Sequence, residues 1–320
     1  MKDNMIKIGG VSIDVSHPKA FASNMEKYCM DMQYAYEYDN GFRTGEELEW
    51  FKNRFKLAGI ADSIEEMADK VDVGFVQSCN WDKHLDQAMP FLRKGKPVFI
   101  DKPIVGSVKD IKRLRELTAN GAKIMGSSSI RYCKEIQDFL SRSEEDVGKI
   151  LSVYGTSGTD EFNYSIHIVE GMSALAGAKA VKCKYLGEAV RDGQRCQNYA
   201  IDYENGVQGI YSACLDVWQP FVIVVVTTKS VYHFEIDLDL IYSALLQQIS
   251  HELRGDGKSI MADMETLINC TQIMLCGKKS RDERNGAEVA VEELEETDAF
   301  DGAAFEEEYA RIANRKVYKD

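Results

Sequence analysis

Val71-Asp72-Val73-Gly74-Phe75-Val76-Gln77 is an apolar run of strand length, Lys83 to Leu92 has helical spacing, and Pro97-Val98-Phe99-Ile100 is a second apolar run. A strand, a helix and a strand in that order imply a right-handed crossover between parallel neighbours. The alternation extends in both directions. Upstream, Ile6-Lys7-Ile8 reads as a strand, followed by a Gly9-Gly10 turn, a helix from His17 to Met30 and a strand from Met32 to Tyr38 that ends at Asp39-Asn40-Gly41. Glu46 to Phe55 places Leu48, Phe51 and Phe55 on one helical face, and Ser63-Ile64-Glu65-Glu66 has the form of a capping box. Downstream, Lys109 to Asn120 is a helix closed by Gly121, and Ala122 to Met125 a further strand. Strict alternation predicts an α/β fold with a doubly wound parallel sheet.

After about Ser127 the texture changes. Ile150 to Thr156, Val181 to Gly187, Gln197 to Tyr203, Val207 to Cys214, Val222 to Thr228 and Val231 to Ile236 all read as strands, with Glu204-Asn205-Gly206 as a hairpin signal. Helices are expected at Asn163 to Leu175, Leu240 to Leu253 and Met261 to Cys276. This predicts an α+β domain with a large, mostly antiparallel sheet. The expected organisation is residues 1–126, residues 127–290 and an acidic segment with a short helix at 291–320.

Composition narrows the function classes. The chain has 320 residues, 44% of them hydrophobic and 28% charged, which supports a folded core and excludes disorder. A net charge of −13 argues against a nucleic-acid partner. Much of it lies between Val291 and Ala310, where carboxylates run without Lys or Arg and a solvated acidic face is expected. Phe221 to Val226, the longest apolar stretch, is too short to span a bilayer, and Met1-Lys2-Asp3-Asn4 leads straight into a strand. A cytoplasmic protein is expected. Eight scattered cysteines without a Cys-x-x-Cys pair fit reduced thiols, and no metal is expected because His167 has no second His within a helical turn.

Ligands of doubly wound sheets sit at the carboxyl ends of the strands. That places the turn Gly9 to His17 at dinucleotide phosphates, although Gly9, Val11 and Asp14 stand where a full fingerprint has three glycines. Ser12 would touch the phosphates, while Asp14 would cap the helix that starts near Ser16-His17-Pro18. Asp39 would accept a hydrogen bond from a ribose 2′-hydroxyl and repel a 2′-phosphate, which favours NAD over NADP; an ordinary turn aspartate is the plain alternative. Asp101-Lys102-Pro103 ends a strand in the same crevice. Asn163, His167 and Glu170 at i, i+4 and i+7 would form one polar stripe on a helix, suited to tuning a histidine base.

In this order the pieces resemble the glucose–fructose oxidoreductase and inositol dehydrogenase (Gfo/Idh/MocA) family over nearly the whole chain. The resemblance rests on Ile64-Glu65-Glu66-Met67, His84, Gly95 to Pro103, Ile130-Arg131-Tyr132, Ser165-Ile166-His167, Glu204-Asn205-Gly206 and the helix Ala262 to Cys276. It implies an N-terminal Rossmann domain and a second domain whose open sheet often forms the subunit interface; with it, the run Val222 to Val226, read as a strand buried on both faces, points to a homodimer or homotetramer. Lys102 matches the family's active-site lysine and His167 its helical acid or base. Asn163 and Glu170 stand where many members have Asp. His17 and His84 match family histidines, and Asn80, His84, Asp101 and Lys102 join Gly9, Val11, Ser12, Asp14 and Asp39 as expected cofactor contacts.

The expectation is an NAD-dependent oxidoreductase of a sugar-like secondary alcohol or ketone. Two alternatives remain open: a non-redox sugar- or nucleotide-binding accessory or sensor protein, and a lyase or epimerase with a tightly held, recycled NAD.

Overall fold

The computed structural model describes residues 5–38 and 41–313. Its first half runs β1 (Ile6–Val11), α1 (His17–Asn24), β2 (Met30–Tyr36), α2 (Gly45–Phe55), β3 (Gly59–Ile60), α3 (Ile64–Lys70), β4 (Val73–Val76), α4 (His84–Leu92), β5 (Val98–Ile100), α5 (Val108–Ala119) and β6 (Ile124–Gly126). All six strands pair in parallel, in the order β3-β2-β1-β4-β5-β6. The order reverses between β1 and β4, which opens a crevice at their carboxyl ends. Burial on both faces explains why Val73 to Val76 and Val98 to Ile100 read as unbroken apolar runs.

The second half adds α6 (Lys134–Leu140), α7 (Glu144–Val147), β7 (Ile150–Ser157), α8 (Ser165–Ala176), β8 (Ala180–Arg191), β9 (Gln194–Tyr203), β10 (Gln208–Leu215), β11 (Val222–Thr227) and β12 (Val231–Glu235). It continues with α9 (Ile241–Arg254), α10 (Met264–Asp282), β13 (Val289–Ala290) and α11 (Gly302–Ala313). Seven strands form one sheet in the order β12-β11-β7-β10-β9-β8-β13, antiparallel except where β10 lies beside β7. Helix α8 packs on one face so closely that a Cβ on Gly155 of β7 would meet Ile168 at 2.3 Å. The opposite face leaves Tyr154 and Ile210 exposed. Strand β11 alternates buried and half-buried residues along Val222–Thr227, so within one chain only one of its faces is covered, not both.

Several readings of local structure need correction. Gly9 and Gly10 are strand residues rather than turn residues; Gly9 is needed because Met67 of α3 lies 2.8 Å from where its Cβ would be. The left-handed turn falls on Ser12, at φ 70°. Helix α8 begins at Ser165, so Asn163 precedes it and shares no helical stripe with His167. The acidic run is not uniformly solvated: Asp298 is buried against Lys279 at 3.0 Å, and Glu306 of α11 reaches Lys83 at 2.7 Å.

Helix α9 carries the two halves together. Its Leu245, Leu246 and Ile249 enter the core formed by Phe21 of α1, Phe75 of β4 and Phe99 of β5, whose rings lie 5.2 to 6.2 Å apart. Among the described residues no helix is long and apolar enough to cross a membrane. Phe75→Ala should leave a cavity in this shared core and cost about 3–5 kcal/mol in a urea unfolding measurement, with both halves melting earlier.

Candidate functional site

Loops after β1, β4 and β5 open into one crevice, and α8, α9 and α11 close it. Its inner part is a cavity of about 220 Å³ lined by His17, Asp101, Lys102, Asn163, Tyr164, His167, Trp218, Phe221, Tyr242 and Tyr309, among others. Lys102, at the end of β5, enters it buried. Its Nζ donates to the main-chain oxygen and to Oδ1 of Asn163, both at 2.9 Å, and lies 5.5 Å from the centre of the Tyr164 ring. An ammonium has three N–H groups, so one is left for a ligand. Burial holds the Lys102 amine below the usual lysine range, against the pull of Asp101.

Asp101 faces His17, whose Nδ1 lies 2.5 Å from Oδ2, while Oδ1 accepts the Lys102 N–H at 2.8 Å. Burial alone would raise this carboxyl, but the His17 and Lys102 charges bring it below the usual carboxylate range. His167 is buried and sits 6.3 Å from His17 between ring centroids. Burial, then Lys102 and then His17, push its imidazole well below the ordinary histidine value, so it is neutral near pH 7.

The residue that orients His167 is one the sequence reading missed. Ser128 Oγ lies 2.6 Å from His167 Nδ1 and accepts the Ile130 N–H at 3.1 Å. Glu170 does not touch the histidine. Its Oε2 accepts from Ser127 Oγ at 2.6 Å and Ser128 N at 2.8 Å, so it fixes the loop after β6 that carries Ser128. Burial raises the Glu170 carboxyl. Asn163 likewise serves Lys102 and not His167. The available signal was Ser127-Ser128-Ser129, one residue past a predicted strand, the same position logic that singles out Lys102.

The outer part of the crevice is a second cavity, about 340 Å³, lined by Asp14, Glu37, Tyr38, Phe42, Ser78, Lys83, Gln87 and Glu306, among others. Helix α11 borders both cavities, through Tyr309 on the inner one and Glu306 on the outer. Asp14 is buried but does not cap α1, which carries no side-chain cap; its Oδ2 accepts the Cys79 N–H at 3.0 Å. Its main-chain oxygen holds the Arg43 guanidinium at 2.6 Å. Burial raises the Asp14 carboxyl.

Asp39 lies outside the described residues. Directly after β2 stands a further acid, Glu37, which the sequence reading passed over: its Oε2 accepts from Ile13 N at 2.8 Å and Ser12 Oγ at 3.3 Å. Burial and the neighbouring Asp14 push the Glu37 carboxyl up to about 7. Three expected cofactor contacts are turned elsewhere. Val11 is fully buried in the core, because β1 extends to it. His84 is buried with its two nitrogens on the main-chain oxygens of Ile104 and Ser78, at 3.2 and 2.9 Å, a link between loops and not a contact to the crevice. Asn80 donates to Glu306 at 2.9 Å and accepts the Asp82 N–H. The eight cysteines are free, with Cys196 and Cys214 at 3.3 Å between sulfurs across β9 and β10.

Residues 23–128 match the model of the GFO_IDH_MocA family, described as an oxidoreductase family with an NAD-binding Rossmann fold. The resemblance drawn from the sequence is borne out there. No curated protein matches the chain by sequence. Among solved structures, scyllo-inositol dehydrogenase from Lactobacillus casei superposes with a TM-score of 0.76 at 16% identity, covering 91% of this chain and 100% of that one. Another structure of scyllo-inositol dehydrogenase from that organism has NAD(H) and scyllo-inositol bound. Myo-inositol dehydrogenase from the same organism, in complex with NAD(H) and myo-inositol, gives 0.73 at 13% identity over 89% and 96%. A Desulfitobacterium hafniense chain described as an NADPH-dependent oxidoreductase gives 0.75 at 14% identity over 91% and 99%. At these identities the likeness is one of fold.

Glu37 gives the site a pH signature. Its folded-state carboxyl titrates near 7 and the unfolded one near the ordinary 4.5, so the fold holds a proton that the unfolded chain has released between those values. The stability it contributes is present below the lower value and is lost as pH rises through the upper. Urea unfolding at pH 5 and pH 8 should therefore show a larger loss for the native protein than for Glu37→Gln.

Proposed function

We propose that this chain, whose Rossmann half matches the Gfo/Idh/MocA model, is an NAD-dependent oxidoreductase acting on the CH–OH group of a sugar- or polyol-like substrate. The observation that carries the reading is the pairing, in one cavity, of a buried lysine with a spare N–H and a neutral histidine fixed through one nitrogen. The nicotinamide cofactor supplies hydride acceptance. The inner cavity suits its reactive end, and Asp39, which follows β2 in sequence, is the acid proposed to accept from an adenosine ribose hydroxyl, which favours NAD over NADP.

The chain's own residues do the proton work. Lys102 would donate its remaining N–H to the substrate oxygen and stabilise the negative charge that develops there. With Nδ1 engaged by Ser128, His167 presents Nε2 to the hydroxyl. The Ser128 hydroxyl can donate to Nδ1 or accept from it, so Nε2 can give up or take a proton, as a reversible oxidation requires. Glu170 and Asn163 act as positioning residues, the first through Ser127 and Ser128 and the second through Lys102. The open face of the seven-stranded sheet, with Tyr154 and Ile210 on it, suits pairing of subunits as a homodimer or homotetramer. Residues up to 126 would form the nucleotide-binding domain, and 127–290 the substrate and assembly domain.

One observation favours the non-redox alternative: Asp14, Glu37 and Glu306 together line the outer cavity, where phosphates would lie. Titrating NAD and NADP into the cofactor-free protein tests the redox reading: binding of either supports it, and binding of neither, by the full chain or by the α11 variants described below, favours the alternative. Given turnover of a polyol screened with NAD, His167→Asn should lower kcat about 10²- to 10⁴-fold while leaving thermal unfolding unchanged. Near-normal turnover would remove His167 from the mechanism. Because His167 is neutral well below its ordinary range, the acid limb of kcat/KM should also fall below pH 6.5.

A further inference from the structure

Two anion-binding places in the outer crevice are filled by the chain's own carboxylates. The Ile13 N–H, in the turn after β1, is taken by Glu37. The Lys83 ammonium is taken by both oxygens of Glu306, at 2.8 and 2.7 Å, with Asn80 adding a bond at 2.9 Å. A main-chain N–H beyond the first strand and a lysine at the start of α4 are what a pyrophosphate would require at a switch point. Glu37 and Glu306 stand in for its oxygens.

The docking of α11 is firm at one end and opposed at the other. Around its start, Phe300 stacks on Phe162 at 4.1 Å, the Phe300 oxygen accepts the Trp81 Nε1–H at 2.9 Å, and the Gly302 N–H bonds Asp82 at 3.0 Å. One turn later Phe305 leans on Trp81 at 5.0 Å, and Glu306 enters the cleft. There its carboxylate, the Asp14 carboxylate and the Cys79 sulfur lie within 4.8 Å of one another. Like charges at that separation, with Asp14 buried, oppose each other. Beyond the anchor near Phe300, α11 is held by Tyr309 against the Phe42 ring at 6.2 Å and by this charge cluster, which a single lysine offsets.

We infer that α11 is a displaceable plug of the nucleotide cleft: a bound dinucleotide and the docked helix exclude one another, and Lys83 passes from Glu306 to the pyrophosphate when the helix leaves. The inference rests on the dinucleotide-binding reading above. It follows from charge. A pyrophosphate entering with α11 in place would meet Asp14, Glu37 and Glu306 with its best cation already paired, whereas withdrawal of α11 removes one carboxylate and frees Lys83. Tyr309 borders the inner cavity, so the same movement widens the place where substrate would sit.

Affinity for a state populated only in part is reduced by that fraction, which makes the plug measurable. Three proteins serve: the full chain, a chain ended after Asp301, and Glu306→Gln in the full chain. NAD is titrated into each by calorimetry, and amide hydrogen exchange of residues 303–312 is followed with and without saturating NAD. Both variants should bind NAD roughly tenfold or more tightly than the full chain, and exchange across 303–312 in the full chain should accelerate on saturation. Equal or weaker binding by both variants, or slower exchange in α11 with NAD, overturns the plug and leaves the oxidoreductase reading standing. Should the shortened chain not fold, Glu306→Gln and the exchange data decide. Binding of NAD or NADP by none of the three overturns the dinucleotide reading itself, and the plug with it.

Discussion

A buried ammonium must be surrounded by oxygens or lose its charge, and Lys102 imposes that requirement on both halves of the molecule. Strand β5 of the parallel sheet delivers the lysine; the two oxygens that hold it belong to Asn163, in the loop before α8. That loop is bent by Asp160, whose Oδ1 accepts the main-chain N–H groups of Phe162 and Tyr164. With the loop fixed, α8 starts at Ser165 and brings His167 into the same cavity. Removing the Asn163 oxygens would leave Lys102 with an unmet demand, so the seam between the halves and the geometry of the site are one problem.

The turn after β1 shows how a Rossmann-type crossing is made without its usual glycines. Where a glycine would let the backbone approach a ligand, here the backbone is held by side chains. Ser12 takes the left-handed conformation, Glu37 ties down Ile13, Arg43 grips the Asp14 carbonyl, and Asp14 accepts from Cys79 across the crevice. Rigidity replaces openness, and the turn spends its donors internally.

Much of this was legible in the sequence, for reasons that differ by element. The parallel sheet follows from apolar runs alternating with amphipathic ones, because burial on both faces leaves no polar register to confuse. Lys102 and His167 stand out because one ends a strand beside a proline and the other lies among apolar helix residues. What escaped is tertiary. Nothing local says that Asn163 stops short of the helix, or that Glu170 reaches Ser127 and Ser128 and not His167. Glu37 was hidden because the strand-like pattern runs on through Tyr38, two residues past the end of β2. Glu306 sits in a run of acids whose composition speaks for solvent exposure, and only the docking of α11 sets it apart from Glu307 and Glu308, which are exposed.

The contacts that complete the crevice are among the most distant in sequence. Trp81 bonds Phe300 across 219 positions, and Asn80 bonds Glu306 across 226. Closing loops of that length costs entropy that nearby contacts do not, which disfavours their early formation on the way to the native state. The parallel sheet can condense on its own local crossovers well before the outer cavity exists. Partial unfolding should run the same path in reverse, so that mild denaturant opens the crevice while the two sheets remain intact.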